Sequence, residues 1–181
     1  DDKKRLEMIF RKFIRLSAFV IFPLMIGLAV VAEPLIRIVL TEKWMPVVPL
    51  LQLLCITGML YPLHAININI LNVKGRSDLV LKLETIKKII TVLAILITFS
   101  FGVKALVIGQ TFTSIIGFFI NTHYSEKMCN YGPWKQIKDV IPIVLITLFM
   151  ALGVWIAMLF FENDVLKLLT GLLVGNILYI L

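Results

Sequence analysis

The sequence has few charged residues and very few cysteines. Charged residues make up 16% of its 181 positions, whereas about a quarter of the residues in an ordinary soluble domain are charged. The two cysteines, Cys55 and Cys129, belong to no CxxC pair and to no Cys/His cluster with metal-ligand spacing. This composition excludes a disulfide-stapled domain, and its low charge excludes an intrinsically disordered chain.

Catalytic motifs are also missing from the sequence. It contains no Ser/His/Asp set, no H-E-x-x-H motif and no P-loop. Without a nucleotide motif the chain cannot be an ATPase on its own. The acidic residues lie in predicted loops or pair with lysines. We therefore predict that the chain is not an enzyme, that it has no catalytic or metal-binding residues, and that it needs no cofactor.

Apolar residues dominate what is present. They make up 60% of the chain, and the mean hydropathy is +0.98. A soluble fold of this length could not remove so much apolar surface from water, so the solvent is a lipid bilayer. The apolar runs are continuous, whereas barrel strands would alternate. They predict an all-α, polytopic transmembrane bundle of about six spans, at 13–32, 47–70, 79–101, 105–121, 140–161 and 165–181.

Positive charges alternate from one predicted loop to the next. One side of the membrane would carry fourteen basic residues: Lys3, Lys4, Arg5, Arg11, Lys12, Arg15, Lys74, Arg76, Lys82, Lys87, Lys88, Lys127, Lys135 and Lys138. The other side would carry four: Arg37, Lys43, Lys104 and Lys167. Positive loops resist translocation, so we predict that the fourteen-residue side, with the amino end, is cytoplasmic. The net charge of +7 then requires no nucleic-acid partner.

The placement of the short segment after the first span is open. Glu33-Pro34 follows the first span, and residues 35–40 are too few to cross a bilayer. They form either a short helix at the outer interface or a continuation of the first span.

Cys129 is predicted to lie in a cytoplasmic loop and Cys55 in a membrane helix, so the two should form no disulfide. The last predicted span stops within an apolar run, which suggests a piece of a larger membrane protein.

The inner half of the second span is unusually polar, with His64, Asn67, Asn69 and Asn72. Polar groups are costly in lipid and should face protein or water. One interpretation is interhelical hydrogen bonding with a frayed helix end. The other is that these side chains line a cavity. His64 by itself is not a strong proton-relay candidate.

The third span carries the densest charge, with Lys82, Glu84, Lys87 and Lys88. Glu84 can pair with Lys87 and Lys88 at helical spacing. If Lys104 marks the outer edge, Lys88 lies ~6 Å inside the hydrocarbon core. A lysine can reach the interface from that depth, so anchoring is one interpretation. The other is that one lysine points into an aqueous cavity and meets an anion.

Two segments resemble a known family. They are FPLMIGLAVVAEPLIRIVLTEKW at 22–44 and LNVKGRSDLVLKLETIKKII at 71–90. Their Glu33-Pro34, Lys43-Trp44 and Gly75-Arg76-Ser77-Asp78 elements resemble, in order, those of the polysaccharide transporter family of lipid-linked oligosaccharide flippases. That family belongs to the superfamily of multidrug and toxic compound extrusion proteins and lipid II flippases.

The resemblance implies a two-lobe transporter in the bacterial inner membrane, with a central cavity that opens alternately to each side. This chain would be most of the second lobe, and a first lobe of the same protein would be its partner together with membrane lipids. The implied activity is flipping of undecaprenyl-pyrophosphate-linked oligosaccharide for surface polysaccharide or lipopolysaccharide synthesis. Because the pyrophosphate needs cations and the sugars need polar groups, candidate substrate-binding residues are Lys87, Lys88, Lys82, Asn67 and Asn69.

Two other functions stay open. An ion-coupled drug or solute exporter of the same superfamily should show buried acidic residues for cation coupling, and no Asp or Glu lies in the middle of a predicted span. A polytopic glycosyl- or acyltransferase should show a catalytic His, Asp or Glu at a loop or interface. The predicted outer acids are scattered, and neither histidine lies beside them.

Overall fold

A computed structural model describes residues 2–180, which form an all-α bundle. The α-helices in this range are α1 (Asp2–Val30), α2 (Ala32–Leu40), α3 (Val48–Val73), α4 (Ser77–Thr98), α5 (Val103–Cys129), α6 (Pro133–Met158) and α7 (Asp164–Ile180). Short 3-10 turns at Glu42–Val47 and Phe99–Phe101 precede α3 and α5. Each long apolar run of the sequence has become a helix, since helices satisfy their own backbone hydrogen bonds in lipid. The predicted fold class is confirmed.

Four stretches are long and apolar enough to cross a membrane: Lys4–Val30, Glu42–Val73, Val103–Cys129 and Pro133–Met158. The other two predicted spans are helical as well. However, α4 carries Lys82, Glu84, Lys87 and Lys88 within its first twelve residues, and α7 is 17 residues long. The multi-pass membrane character is therefore shown by four helices, and the six-span topology stays a prediction.

Helix α1 lies at the centre of the bundle. It packs against α3 on one side and α6 on the other, while α5 packs on α3, α4 on α5, and α7 on α6. A large apolar cluster joins α1, α3 and α5 through residues such as Ile14, Phe22, Leu63 and Phe118. A second, smaller cluster joins α6 to the α1–α2 boundary. Helices α1 and α6 both contribute residues to the two clusters.

The boundary between α1 and α2 is a single bent residue, Val31. Helical hydrogen bonding continues through it, from the Val31 amide to the Gly27 carbonyl and from the Leu35 amide to the Val31 carbonyl. Pro34 lies in the first turn of α2, where its missing N–H removes no intrahelical bond. Of the two interpretations of residues 35–40, the structure shows a separate short helix.

Helix α5 continues well beyond the predicted fourth span. Thr122, Ser125 and Cys129 each direct their side-chain donor back to a carbonyl of their own helix. These polar residues can therefore extend the helix instead of forming a loop. The prediction of Cys129 in a loop is wrong, because it is the last residue of α5 and only 1% exposed. Cys55 is buried in α3 as predicted, and both thiols are free.

Ion pairs show which helix ends lie together. Lys135 donates to Glu7 over 2.8 Å and joins the start of α6 to the start of α1. Arg37 contacts Asp164 at 3.3 Å and joins α2 to the start of α7. We call the first end, with the α3–α4 and α5–α6 loops, the basic end, and the other the far end. The two ion pairs thus place the starts of α1 and α6 at one end of the bundle and the start of α7 beside α2 at the other.

Candidate functional site

A polar groove opens between α3, α4 and α5, and we call it the α3–α5 groove. Its volume is about 450 Å³. It is lined by Thr57, Tyr61, His64, Ala65, Ile68, Glu84, Lys87, Thr91, Gln110, Thr113, Ser114 and Gly117. Most of these side chains carry a hydroxyl, an amide, an imidazole or a charge. Such a set is unusual between apolar helices and suits a polar ligand.

Lys87 is the cation of this groove. Its side chain is 20% exposed, and its ammonium pairs with the Glu84 carboxylate one turn earlier on α4. Its aliphatic stem lies over Gly117 of α5, where an added Cβ would be 3.4 Å from the Lys87 Cδ. The same Cβ would be 3.5 Å from the His64 Cε1. The missing side chain at Gly117 therefore lets the lysine and the imidazole approach each other.

His64 is fixed by partners on both ring nitrogens. Its Nε2 lies 3.1 Å from the Ser114 hydroxyl, and its Nδ1 lies 3.1 Å from the Asn121 amide. In a neutral ring one nitrogen donates and the other accepts, so both contacts can be satisfied in the same tautomer. Sequence analysis gave His64 little weight. The spacing of Tyr61, His64 and Ala65, at i, i+3 and i+4, places them on one face of α3. This spacing is the sequence signal for His64 as part of the groove wall.

The predicted site residues do not lie together. Lys87 lines the α3–α5 groove, whereas Lys82, Lys88 and Asn69 are exposed and do not. The two neighbouring lysines diverge because consecutive helical residues point about 100° apart. Asn67 is buried away from the groove. The structure thus separates Lys87 from the other four candidates.

Asn67 belongs to a closed hydrogen-bond network at the basic end. Its side chain exchanges two hydrogen bonds with Gln136 of α6, at 2.9 and 2.8 Å, and accepts one from Ser125 of α5 at 2.6 Å. The Asn67 amide also donates to the Leu63 carbonyl, and the Gln136 amide to that of Tyr131. This arrangement favours interhelical packing over cavity lining for Asn67.

A second polar cluster joins α1 to α6, and sequence analysis missed it. The buried Asp139 carboxylate accepts hydrogen bonds of 2.6 Å from Arg11 Nε, Arg11 Nη2 and Arg15 Nη2, and one of 2.8 Å from the Tyr131 hydroxyl. Burial, followed by the bond to Asp139, raises the pKa of Tyr131, which therefore stays a donor. Asp139 lies inside α6 and pairs with arginines, so its expected place in a loop or beside a lysine is wrong.

Two larger grooves are mainly apolar. One, of about 1060 Å³, lies among α1, α3, α6 and α7 and includes Glu33, Gln52 and Trp155. The other, of about 730 Å³, lies between α1 and α7. Among residues 2–180 no group of three or more His, Cys, Asp or Glu side chains could hold a metal ion. The α3–α5 groove is the most polar of these three recesses.

Comparison with known proteins gives consistent matches. The profile of a family described as "Polysaccharide biosynthesis protein" matches residues 1–49. The lipopolysaccharide biosynthesis protein WzxC of Escherichia coli K12 is 33% identical over 122 residues, which is 67% of this chain and 24% of that protein. The teichuronic acid biosynthesis protein TuaB of Bacillus subtilis 168 is 43% identical over 70 residues, 39% of this chain and 14% of that protein.

A third relative is an uncharacterised membrane protein in the cps region of Klebsiella pneumoniae. It is 34% identical over 90 residues, which is 50% of this chain and 19% of that protein. The chain therefore spans about a quarter or less of the length of these curated relatives. No solved structure matches it. The matches confirm the resemblance drawn from residues 22–44 and 71–90, and the chain is similar to bacterial membrane proteins of polysaccharide biosynthesis.

Proposed function

We propose that this chain is part of a flippase that moves undecaprenyl-pyrophosphate-linked oligosaccharide across the bacterial inner membrane. The observation that carries the proposal is Lys87, a half-buried cation in the polar α3–α5 groove of an otherwise apolar bundle. The names of the relatives, which refer to lipopolysaccharide and teichuronic acid biosynthesis, support the substrate class. The product would enter surface polysaccharide or lipopolysaccharide synthesis.

The chemistry of this substrate fits the groove. A pyrophosphate in a low-dielectric setting needs a cation and hydrogen-bond donors. Lys87 offers the cation, because Glu84 accepts only one of its three ammonium N–H donors. Further donors along the same walls are Gln110, Thr113 and Tyr61. The sugar units need polar partners of the same kind, while the lipid tail can stay in the bilayer. A first lobe, as in a two-lobe transporter, would supply the opposing wall of the cavity.

The proposal includes the orientation of the bundle in the membrane. We place the basic end in the cytoplasm, because it carries fourteen of the Lys and Arg residues. The groove residue Lys87 lies in the half of α4 nearer that end. A substrate that is assembled on the cytoplasmic leaflet would therefore meet the lysine early in its passage.

Transport is favoured over catalysis by the surroundings of Ser114. The series Ser114, His64 and Asn121 has the order of a nucleophile, a base and an orienting group. However, Ser114 lies in the middle of α5, where backbone N–H groups are occupied by helical hydrogen bonds. No pair of free backbone donors is positioned to stabilise an oxyanion beside it. We assign the three residues to positioning of the groove wall.

An ion-coupled exporter is less well supported. Its expected buried carboxylate would have to be Asp139 or Glu84. Asp139 is already bonded to two arginines, and Glu84 to Lys87. Neither has the unpaired character that cation coupling requires.

Substitution of the neighbouring residues Lys87 and Lys88 tests the proposed function. In the intact protein, Lys87→Gln should abolish export of surface polysaccharide while the level of inserted protein stays normal. Lys88→Gln removes the same charge from the same helix but from an exposed side chain, so it should have little effect. The measurement is surface polysaccharide normalised to membrane-inserted protein. Two near-normal variants would contradict a role of the groove in the substrate path.

A further inference from the structure

The two arginines of α1 are held in place by a single buried carboxylate. Arg11 makes a two-bond contact with Asp139 through Nε and Nη2, and Arg15 contacts the same carboxylate through Nη2. Asp139 is only 5% exposed, and Tyr131 fixes it with a further hydrogen bond. A guanidinium bonded in this way has a defined plane and direction. The pair is therefore preorganised.

Both guanidinium groups keep donors that face outward. The Arg11 and Arg15 side chains are 50% and 48% exposed. Each guanidinium has five N–H donors, and only some of them point at Asp139. Arg11 Nη1, Arg15 Nε and Arg15 Nη1 have no hydrogen-bond partner among the described residues. With one carboxylate between two arginines, the cluster keeps a net positive charge.

The depth of the pair corresponds to a layer of lipid phosphates. At a rise of ~1.5 Å per residue, Arg15 lies about 22 Å from Val30 along α1, and Arg11 about 28 Å. The hydrocarbon core is ~30 Å thick. If Val30 is near one boundary of the core, the backbone at Arg11 and Arg15 lies about 2 and 8 Å inside the opposite boundary, and the long arginine side chains can reach that boundary. Lipid phosphates lie at this level.

We propose that Arg11 and Arg15 form a binding site for a lipid-borne phosphate in the leaflet at the basic end, with Asp139 and Tyr131 as positioning residues. Two adjacent guanidinium groups offer several parallel N–H donors, which match phosphate oxygens. The phosphate can belong to an anionic phospholipid or to the diphosphate of a polyprenyl lipid. The site does not depend on the flippase function, since it requires only a phosphate in that leaflet.

The arginine site lies on the same side of α1 as a residue of the large groove at the far end. Steps of seven residues keep to one side of a helix, and they lead from Arg15 through Phe22 to Ala29. Ala29 lines the large groove at the far end. Phe22 between them is buried. A phosphate on the arginines is thus separated from the far groove by a packed aromatic ring.

Lipid binding by the purified intact protein tests the proposal. Native mass spectrometry would follow retention of phosphatidylglycerol, undecaprenyl diphosphate and phosphatidylcholine. Arg11→Gln and Arg15→Gln should each reduce retention of an anionic lipid by about tenfold. The matched control is Lys12→Gln, which removes an exposed charge from the same helix and should leave retention unchanged. Loss for both anionic lipids assigns a general phosphate site, and loss confined to undecaprenyl diphosphate assigns a substrate site.

Asp139→Asn separates a built site from simple attraction of charges. It adds one unit of positive charge but removes the carboxylate that orients both arginines. We expect weaker retention of anionic lipid. Stronger retention, or equal losses in the Arg11, Arg15 and Lys12 variants, would overturn the proposal. Arg15→Lys, which keeps the charge and loses the fork of donors, should give an intermediate value and serves if a glutamine variant does not fold.

Discussion

Buried side-chain amides determine how the helices meet at the basic end. Asn67, Ser125 and Gln136 come from three different helices, and their mutual bonds measure 2.6–2.9 Å. Every oxygen and amide nitrogen of the Asn67 and Gln136 side chains has a partner in this network. In lipid a lost partner cannot be replaced by water, so the network couples α3, α5 and α6.

A double-mutant cycle measures this coupling. Gln136→Leu leaves the Asn67 amide without its main partner, and Asn67→Leu does the same to Gln136. Each single variant should lower the free energy of unfolding in detergent by about 1–3 kcal/mol. The double variant should cost less than the two single effects added, because no orphaned amide remains. Additive effects would show that the two amides do not depend on each other.

The residues that sequence reasoning placed least well are those whose partners are far along the chain. Asp139 is a lone acid near the start of a predicted span, and nothing local indicates that Arg11 and Arg15 meet it across more than 120 positions. From its helix alone, Asn67 fits both interhelical hydrogen bonding and the lining of a substrate cavity. Its actual partners come from α5 and α6, and helix-to-helix pairing is not encoded in local periodicity.

At the scale of elements, hydropathy predicts where helices lie and underestimates how far they extend. The predicted fourth span ends at Asn121, yet α5 continues to Cys129. The extra turns carry polar side chains such as Thr122 and Ser125, which lower hydropathy but bond to helix carbonyls. Glu33-Pro34, in contrast, pointed to residues 35–40 as either a short helix or a continuation of the first span, and the structure shows the short helix α2. A proline limits the backbone locally, and its effect can be read without knowing the neighbours.

Close packing of α7 depends on a glycine. A Cβ added to Gly171 would lie 2.8 Å from Val31 Cγ1, at the bend between α1 and α2. A Cβ added to Gly27 would lie 3.9 Å from Met150 Cε, which is an ordinary van der Waals contact. The two glycines thus provide a matched pair, one with a steric reason to lack a side chain and one without.

Alanine substitution distinguishes the roles of Gly171 and Gly27. Gly171→Ala should displace α7 from the Val31 bend and destabilise the protein by about 1–3 kcal/mol through overpacking. Gly27→Ala should be neutral or slightly stabilising, because alanine is the better helix former. Thermal unfolding of the two variants in the same detergent gives the comparison. Equal midpoints would mean that α7 does not rely on this close approach.

At the scale of the whole molecule, the distribution of positive charge predicts the orientation. Native cysteines cannot report it, because Cys55 and Cys129 are 3% and 1% exposed. Lys43 and Lys74 are exposed at opposite ends of α3. Replacing either one by cysteine removes one charge, so the two variants are equivalent except for their side of the membrane.

Thiol labelling of these variants checks the orientation. With an impermeant reagent, Lys43→Cys should be labelled in intact cells. Lys74→Cys should be labelled only after the membrane is permeabilised, because the basic end faces the cytoplasm. The buried native thiols should give a low background. The reverse pattern would place the amino end outside and would contradict the proposed orientation.

The amide network at the basic end has a consequence for biosynthesis. Asn67 leaves the ribosome 69 residues before Gln136, which corresponds to roughly 3–14 s at about 5–20 residues per second. During this interval its amide can bond to the Leu63 carbonyl, but its carbonyl oxygen has no donor from another helix until Ser125 of α5 is made, 58 residues after Asn67. Release of α3 into lipid would leave that group poorly satisfied. We therefore expect α3 to stay beside the insertion machinery until α5 arrives, and a nascent chain truncated after α4 to be held there and cleared by membrane proteases.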